Sequence, residues 1–264
     1  MQVLIGFFLA ALIALLAWRA RALSTSGAFA ALLTGGLIFG LGGLSWATLL
    51  LVFFVSSSAL SRLFAPRKAA LSEKFSKGSR RDWAQVLANG GLGALLVVGF
   101  ALLDEPVWIW AAYIGAMAAV NADTWATEIG VLNPSLPRLV TTWKPVERGT
   151  SGAVSRLGTL AALGGSALVG LAAVLVSSQL PLGVALLAAC LGGLAGSFFD
   201  SFLGATVQSI YYCPSCQKET ERHPRHVCGS PTRHLRGWRW LDNDGVNFLC
   251  SLVGAIVAVL VWGL

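Results

Sequence analysis

The segment "NADTWATEIG", Asn121 to Gly130, places two carboxylates directly after the mostly apolar run "VWIWAAYIGAMAAV". On a helix with about 100° per residue, Asn121, Asp123, Thr124, Thr127 and Glu128 share one half of the circumference, and the other half is apolar. Carboxylate, hydroxyl and amide oxygens suit a hard cation such as Mg²⁺, which usually shares its ligands with phosphate. We predict that Asp123 and Glu128 bind Mg²⁺. The alternative is that both acids lie just past the membrane and pair with loop arginines.

Further polar residues fall at a similar depth in the predicted bundle. Asp200 ends the apolar run "GGLAGSFFDSFLGA", and we predict it as another Mg²⁺ ligand. Asp242 or Asn243 is a natural N-cap for the helix that begins in "LDNDGVNF". The predicted cofactor-binding side chains are Asn89, Asn121, Thr124, Thr127, Asp200, Asp244 and Asn247.

A phosphate-binding turn is predicted in the loop "TTWKPVERGTSGAVSRLGT". Glycine-rich backbone that leads into a helix N-terminus presents free N–H groups to an anion. We therefore predict that Gly149, Thr150, Ser151 and Gly152 bind phosphate. Lys144 and Arg148 precede this turn, and we predict both as catalytic cations. The P-loop pattern is absent, and "GTSG" alone is more often a simple turn.

A cluster of cysteines and histidines occupies the loop 204–244, in "YYCPSCQKETERHPRHVCG". Its spacing is typical of a zinc knuckle. The predicted ligands of a structural Zn²⁺ are Cys213, Cys216, His226 and Cys228, with His223 as the substitute histidine. The alternative is a chance grouping that binds no metal.

The rest of the chain supplies helices to position these groups. Of 264 residues, 56% are hydrophobic and 12% are charged, whereas soluble domains carry about 25% charge. Apolar runs near 20 residues can each cross a bilayer, and they must do so as helices. We predict an all-α integral membrane protein with one domain, residues 1–264, and about eight transmembrane helices. The predicted spans are 2–18, 27–43, 45–61, 84–103, 106–126, 157–177, 182–203 and 245–263.

The basic residues predict the orientation. All 19 Lys and Arg fall in the four segments that follow the first, third, fifth and seventh predicted spans. The segment after the third span contains Arg62, Arg67, Lys68, Lys74, Lys77, Arg80 and Arg81. By the positive-inside rule these segments face the cytoplasm and both termini lie outside. We therefore expect a multi-pass protein of the cell membrane whose cytoplasmic loops form the active site. No soluble module remains that could bind nucleic acid.

Five passages together resemble a known family. They are "QVLANGG", "NADTWATEIG", "RGTSGAVSRLGT", the stretch from "GATVQS" to "CPSC", and "DNDGVNF". They resemble the DUF92 or transmembrane protein 19 family, which includes the phytyl-phosphate kinase of plants and cyanobacteria. The resemblance implies an enzyme that phosphorylates an isoprenoid monophosphate. More distantly, "ADTWATEIG" and "KPVERGTSG" look like motifs of CTP-dependent lipid kinases, although the inserted Arg148 departs from that pattern.

We therefore predict an Mg²⁺-dependent kinase of phytyl, geranylgeranyl or polyprenyl phosphate, with CTP favoured over other nucleoside triphosphates. Its partners would be membrane lipids, the isoprenoid phosphate and the nucleotide. The alternatives are a transporter or lipid flippase, and a CTP-dependent lipid cytidylyltransferase. Glycines four residues apart, as in Gly36/Gly40 and Gly192/Gly196, allow close helix packing within or between protomers, so the oligomeric state stays open.

Overall fold

The structure is a computed structural model that describes residues 1–68 and 80–264, with side chains to residue 66 and from residue 80. The charges predicted at Lys74 and Lys77, and the side chains of Arg67 and Lys68, lie outside the described residues. The described helices are α1 (Gln2–Arg19), α2 (Thr25–Leu63), α3 (Ala65–Lys68), α4 (Trp83–Leu102), α5 (Val107–Gly130), α6 (Arg156–Val176), α7 (Leu182–Thr206) and α8 (Asn243–Trp262).

Helix α2 folds back on itself at Gly43, where φ is 70° and ψ is −159°. A straight helix would separate Ser24 from Ser57 by about 50 Å at 1.5 Å per residue. Both residues instead contact Arg81. The Ser24 amide donates to the Arg81 carbonyl oxygen at 2.9 Å, and the Arg81 guanidinium donates to Ser57 Oγ at 2.9 Å. Glycine accepts the positive φ without steric cost. The predicted spans 27–43 and 45–61 correspond to the two halves of α2.

Six of the described helices are long and apolar enough to cross a membrane: α1, α2, α4, α6, α7 and α8. Helix α5 is not among them, since it ends in the polar segment described above. It is instead the central helix, in which every residue from Ile109 to Ala122 is buried. It packs against α6, α7 and α8.

Small residues allow this close packing around α5. A methyl group added at Gly115 would overlap the Gly254 carbonyl oxygen and the Ala258 side chain of α8. The predicted glycine pair of α7 serves the same contact, since Gly192 lies against Gly254 and Gly196 against α5 and α8. Close approach of helix backbones is the usual way in which apolar helices associate in lipid.

Six helix ends meet at one end of the bundle, which we call the cavity end: the starts of α4, α6 and α8 and the ends of α2, α5 and α7. Side-chain caps fix the three starts. Asp82 forms a capping box with Gln85, Ser155 accepts from the Gly158 amide, and Asp242 accepts from the Gly245 amide. The acids Asp104 and Glu105 lie between α4 and α5 at the opposite end.

The loops at the cavity end contain five short described strands, which the all-α prediction missed. Strands β1 (Arg138–Leu139) and β2 (Ala153–Val154) pair antiparallel. Strands β3 (Ile210–Cys213), β4 (Lys218–Thr220) and β5 (Arg233–Arg236) form an antiparallel sheet in the order β4-β3-β5. At two to four residues each, these strands are too short for a sequence pattern to reveal.

Candidate active site

A polar cavity of about 470 Å³ lies where the helix ends and the two loop sheets meet. Most of the predicted site residues line it, although they come from α4, α5, the loop before α6, α7 and α8. They are Asn89, Asp123, Thr124, Thr127, Glu128, Arg148, Gly149, Thr150, Ser151, Gly152, Asp200 and Asn247. The fold therefore brings together groups that are up to 158 residues apart in the sequence (Asn89 and Asn247).

Three of the predicted catalytic and cofactor-binding residues do not line the cavity. Asn121 is fully buried between helices, where its amide donates to the Gly165 carbonyl oxygen at 2.8 Å and its carbonyl accepts from Ser56 Oγ at 3.0 Å. Lys144 is exposed in the turn after β1. Asp244 lies in the first turn of α8 without reaching the cavity wall. Asn121 has a packing role here, because its polar atoms already tie α5 to α2 and α6.

Three carboxylates form an acid cluster in the cavity: Asp123 from α5, Asp200 from α7, and Glu221, which follows β4. Their charges interact with one another by direct electrostatic repulsion. Asp200 Oδ2 is buried and has no hydrogen-bond partner among the described residues. Buried polar atoms normally have partners. An unpartnered carboxylate oxygen beside two further acids therefore fits a site for a divalent cation.

Glu221 is held on one side by two donors. Ser151 Oγ donates to Glu221 Oε1 at 2.7 Å, and Gln208 Nε2 donates to the same oxygen at 3.0 Å. Ser151 belongs to the predicted phosphate turn and Gln208 follows α7. The Glu221 carboxylate thus joins the predicted phosphate turn to the cysteine-rich loop.

Glu128 lies in a different part of the cavity from Asp123. Its carboxylate is buried, accepts from Ser61 Oγ at 2.7 Å, and interacts electrostatically with Arg81. Two residues five positions apart on a helix point about 140° away from each other. The predicted Mg²⁺ pair is therefore divided between the acid cluster and the Arg81 side of the cavity.

Arg81 is fixed by several contacts. Its guanidinium donates to Ser57 Oγ at 2.9 Å and to Ser58 Oγ at 3.2 Å, and it lies over the ring of Phe53 at 5.2 Å. Burial lowers the pKa of Arg81 to about 10, and the nearby Glu128 carboxylate acts in the opposite direction. Arg81 thus remains a cation at neutral pH in a fixed orientation.

The "GTSG" turn adopts left-handed backbone at both glycines, with φ of 78° at Gly149 and 82° at Gly152. A methyl group at Gly152 would also overlap Ala205 of α7, so only glycine fits this turn against the helix. The helix predicted to follow this turn, residues 157–177, corresponds to α6 (Arg156–Val176). Strand β2 intervenes, and α6 begins at Arg156 with Ser155 as its cap.

Arg148 joins the loop to the end of α5. Its Nη2 donates to the carbonyl oxygens of Asn133 and Pro134, both at 2.8 Å. Arg148 also lines the cavity. Arg148 is therefore both an anchor for the 131–137 segment and a positive charge at the cavity wall.

An apolar groove adjoins the polar cavity. It has a volume of about 70 Å³ and lies between α1, both halves of α2, and α4, with Ile13, Phe39, Leu50, Phe54 and Val86 among its lining residues. Arg81, Gln85 and Asn89 line both the groove and the cavity. The three polar side chains thus mark the junction between an apolar space and a polar one.

The four predicted zinc ligands lie together. The ligand atoms of Cys213, Cys216, His226 and Cys228 are all within 4.8 Å of one another. The hydrogen bond with His226 lowers the pKa of the Cys228 thiol to about 6, and the hydrogen bond with Cys228 raises the pKa of Cys216 to about 11. His223 instead stacks on Tyr211, with ring centroids 4.4 Å apart. Zinc itself stays a prediction.

Comparison with known proteins identifies the family. A family model described as integral membrane protein DUF92 matches residues 8–255. The chain belongs to the DUF92 family. This confirms the resemblance seen in the sequence and establishes an integral membrane protein.

Relatives of this DUF92 protein include plant and archaeal proteins. Protein PGR of Arabidopsis thaliana is 34% identical over 274 residues, which cover 96% of this chain and 93% of the relative. An uncharacterized membrane protein of Methanocaldococcus jannaschii is 31% identical, with 99% of this chain and 97% of the relative covered. Protein VTE6, chloroplastic, of Arabidopsis thaliana is 28% identical over 90% of this chain and 65% of its own length. No solved structure matches the chain.

Some cavity residues of this DUF92 protein escaped the sequence analysis. They are Ser61, Gln85, Ser197, Ser201, Gln208 and Glu221, whereas Asn243 was considered only as a helix cap and Arg81 only as a basic residue that sets the membrane orientation. Gln85 could have been found, because it precedes Asn89 by four residues on the same face of α4. Glu221 carried no signal, since it lies within the cysteine-rich loop and reaches the cavity only through the β4-β3-β5 sheet.

Proposed function

We propose that this protein is an Mg²⁺-dependent kinase of an isoprenoid monophosphate, with a nucleoside triphosphate as donor and CTP favoured. The observation that carries the proposal is the junction of the acid-containing polar cavity with the apolar groove. A lipid phosphate needs both environments at once: apolar walls for its chain, and fixed charge for its head group.

The lipid would lie with its chain toward the groove and its phosphate at the junction. Arg81 is suited to the phosphate because its planar guanidinium can donate bidentately and is already oriented by Ser57 and Ser58. Gln85 and Asn89 add amide groups beside it. We expect the chain to extend among α1, α2 and α4.

The acid cluster of Asp123, Asp200 and Glu221 would hold Mg²⁺. The fit is supported by the unpartnered Asp200 Oδ2 and by the mutual repulsion of the three carboxylates. When bound, Mg²⁺ neutralises and orients the phosphate oxygens of the donor. Glu128, predicted as a ligand from the sequence, would instead balance the charge of Arg81 at the lipid side.

The donor phosphates would lie against Arg148 and the backbone of the Gly149–Gly152 turn. In the transfer, an oxygen of the lipid phosphate forms a bond to the terminal phosphorus of the donor. The bond from that phosphorus to its bridging oxygen breaks, and the nucleoside diphosphate leaves. The attacking oxygen is already ionised, so the residues act by positioning and charge compensation, without a general base.

The proposal includes an orientation. We propose eight membrane crossings, with both termini outside and the cavity end in the cytoplasm. The reversal of α2 at Gly43 supports two crossings within that helix, and the positive-inside rule supports the cytoplasmic assignment of the cavity end. A soluble nucleotide would then reach the cavity from the cytoplasm.

The test is a turnover assay on purified protein in lipid, with phytyl or geranylgeranyl phosphate, Mg²⁺, and CTP or ATP in separate reactions. We expect a lipid diphosphate and a nucleoside diphosphate, both lost in Asp123→Asn. Glu105→Gln, an exposed acid at the opposite end, should keep wild-type turnover.

The released nucleotide product separates the related chemistries. Pyrophosphate with a CDP-lipid would identify a cytidylyltransferase instead of a kinase. Absence of any product from folded wild-type protein, or full turnover in Asp123→Asn, would refute the proposal.

A further inference from the structure

We propose that Cys213, Cys216, His226 and Cys228 bind one structural Zn²⁺, and that this zinc module positions Glu221 in the acid cluster of the cavity. The zinc site stands independently of the proposed kinase activity. The role of Glu221 toward a divalent cation rests on the proposed function. The positioning of Glu221 is therefore also tested by hydrogen exchange, which does not depend on that function.

The ligand geometry fits zinc. In a tetrahedral site with Zn–S bonds of about 2.3 Å, neighbouring ligand atoms lie about 3.8 Å apart. Here Cys213 Sγ and Cys228 Sγ are 3.6 Å apart, and His226 Nδ1 is 3.3 Å from Cys228 Sγ. Three thiols and one imidazole complete a closed set of four, which is typical of structural zinc and leaves no open position for catalysis.

A disulfide explains the cluster less well. The sulfurs are free and 3.6 Å apart, whereas a disulfide requires about 2.05 Å. One disulfide would also leave the third thiol and His226 unused, although His226 is 3% exposed and faces Cys228. One metal ion accounts for all four groups.

Zinc would join two parts of the loop that also meet through the hydrogen bond between Ser215 Oγ and Ser230 Oγ at 2.6 Å. Cys213 ends β3 and Cys216 lies in the turn to β4, whereas His226 and Cys228 belong to the segment before β5. The sheet has only three strands of three to four residues. Units this small usually need a metal or a disulfide to remain folded.

The sheet connects this site to the cavity. Glu221 directly follows β4, whose last residue, Thr220, is buried and pairs with Tyr211 of β3. The sheet is attached to the end of α7, where Arg236 Nη1 donates to the Gly204 carbonyl oxygen at 3.1 Å. Because the β3–β4 hairpin contains two of the zinc ligands, Cys213 and Cys216, loss of zinc should release β4 and therefore Glu221.

The first experiment measures metal content in the purified full-length protein. We expect about one zinc per chain, and Co²⁺ exchanged into the site should show the absorption of tetrahedral thiolate coordination. Cys228→Ser should lose the metal. The matched control is His223→Asn, since His223 stacks on Tyr211 outside the cluster and its loss should leave zinc bound. Wild-type protein without zinc, prepared without chelators, would overturn the proposal.

The second experiment tests the connection to Glu221. Hydrogen exchange of the residue 218–222 amides should accelerate at least tenfold when a chelator removes zinc from wild-type protein, and should recover when zinc is restored. Unchanged exchange would overturn the positioning role even with zinc present. Reversal by added zinc excludes general unfolding as the cause.

The third experiment follows Mn²⁺ as a probe of the acid cluster by electron paramagnetic resonance. Glu221→Gln should keep zinc and weaken Mn²⁺ binding about tenfold or more, and zinc removal should weaken it comparably. Full Mn²⁺ affinity after zinc removal would contradict the inference. If wild-type protein binds no Mn²⁺, the proposed function fails, while metal content and hydrogen exchange still decide the zinc module.

Discussion

Replacing Asp123 by asparagine should have opposite effects on stability with and without Mg²⁺. Burial of the Asp123 and Asp200 carboxylates away from water, together with the repulsion among Asp123, Asp200 and Glu221, makes the metal-free cluster oppose folding. Two unit charges about 6 Å apart at an effective dielectric constant of about 20 repel by about 3 kcal/mol. Asp123 contributes to two such pairs, and solvent and counter-ions in the open cavity screen part of the energy. We expect Asp123→Asn to raise the free energy of unfolding by about 1–3 kcal/mol in chelator.

Excess Mg²⁺ should reverse the order. A ligand at 100 times its dissociation constant stabilises the folded state by about 2.7 kcal/mol, and the wild type should gain this stabilisation while Asp123→Asn should lose most of it. At about 2–4 °C per kcal/mol, Asp123→Asn should melt about 2–12 °C above the wild type in chelator. In saturating Mg²⁺ the wild type should melt at the higher temperature.

The assay is thermal unfolding followed by intrinsic fluorescence, for which the chain offers 10 tryptophans. Glu105→Gln serves as the control, because this exposed acid lies at the end of the bundle away from the cavity and should show the wild-type Mg²⁺ response. A lower melting temperature for Asp123→Asn in chelator would refute the repulsion argument. A wild-type Mg²⁺ shift in the same variant would refute the metal site.

Two further predictions concern packing and lipid recognition. Gly115→Ala should destabilise the protein by about 1–3 kcal/mol or reduce its folded yield, since the added methyl group overlaps Gly254 of α8. The control is Gly183→Ala, whose methyl group meets no atom within 4 Å. This variant should be neutral or slightly stabilising in the same melting assay. Arg81→Lys should raise KM for the lipid phosphate about tenfold with a smaller effect on kcat, since lysine keeps the charge but loses the planar donor pair. An unchanged KM would exclude Arg81 from the head-group site.

Much of the architecture could be predicted from local features of the sequence. Apolar runs near 20 residues predict membrane helices because a bilayer offers the backbone no other partners. The cap at Asp242 and the close packing at Gly192 follow from spacing within one helix. The Cys213/Cys216 pair likewise predicts a clustered metal site, because two ligands come from one tight turn. The short strands of the loops left no comparable pattern.

The division of the acids was decided only by the tertiary structure. Helical periodicity determines that Asp123 and Glu128 point about 140° apart, but it does not determine which neighbours occupy those two directions. The fold places Asp200 and Glu221 beside Asp123, and Arg81 beside Glu128. These partners come from α7, from the loop after β4 and from the segment before α4. Contacts between elements distant in sequence depend on how whole helices pack, which no local pattern encodes.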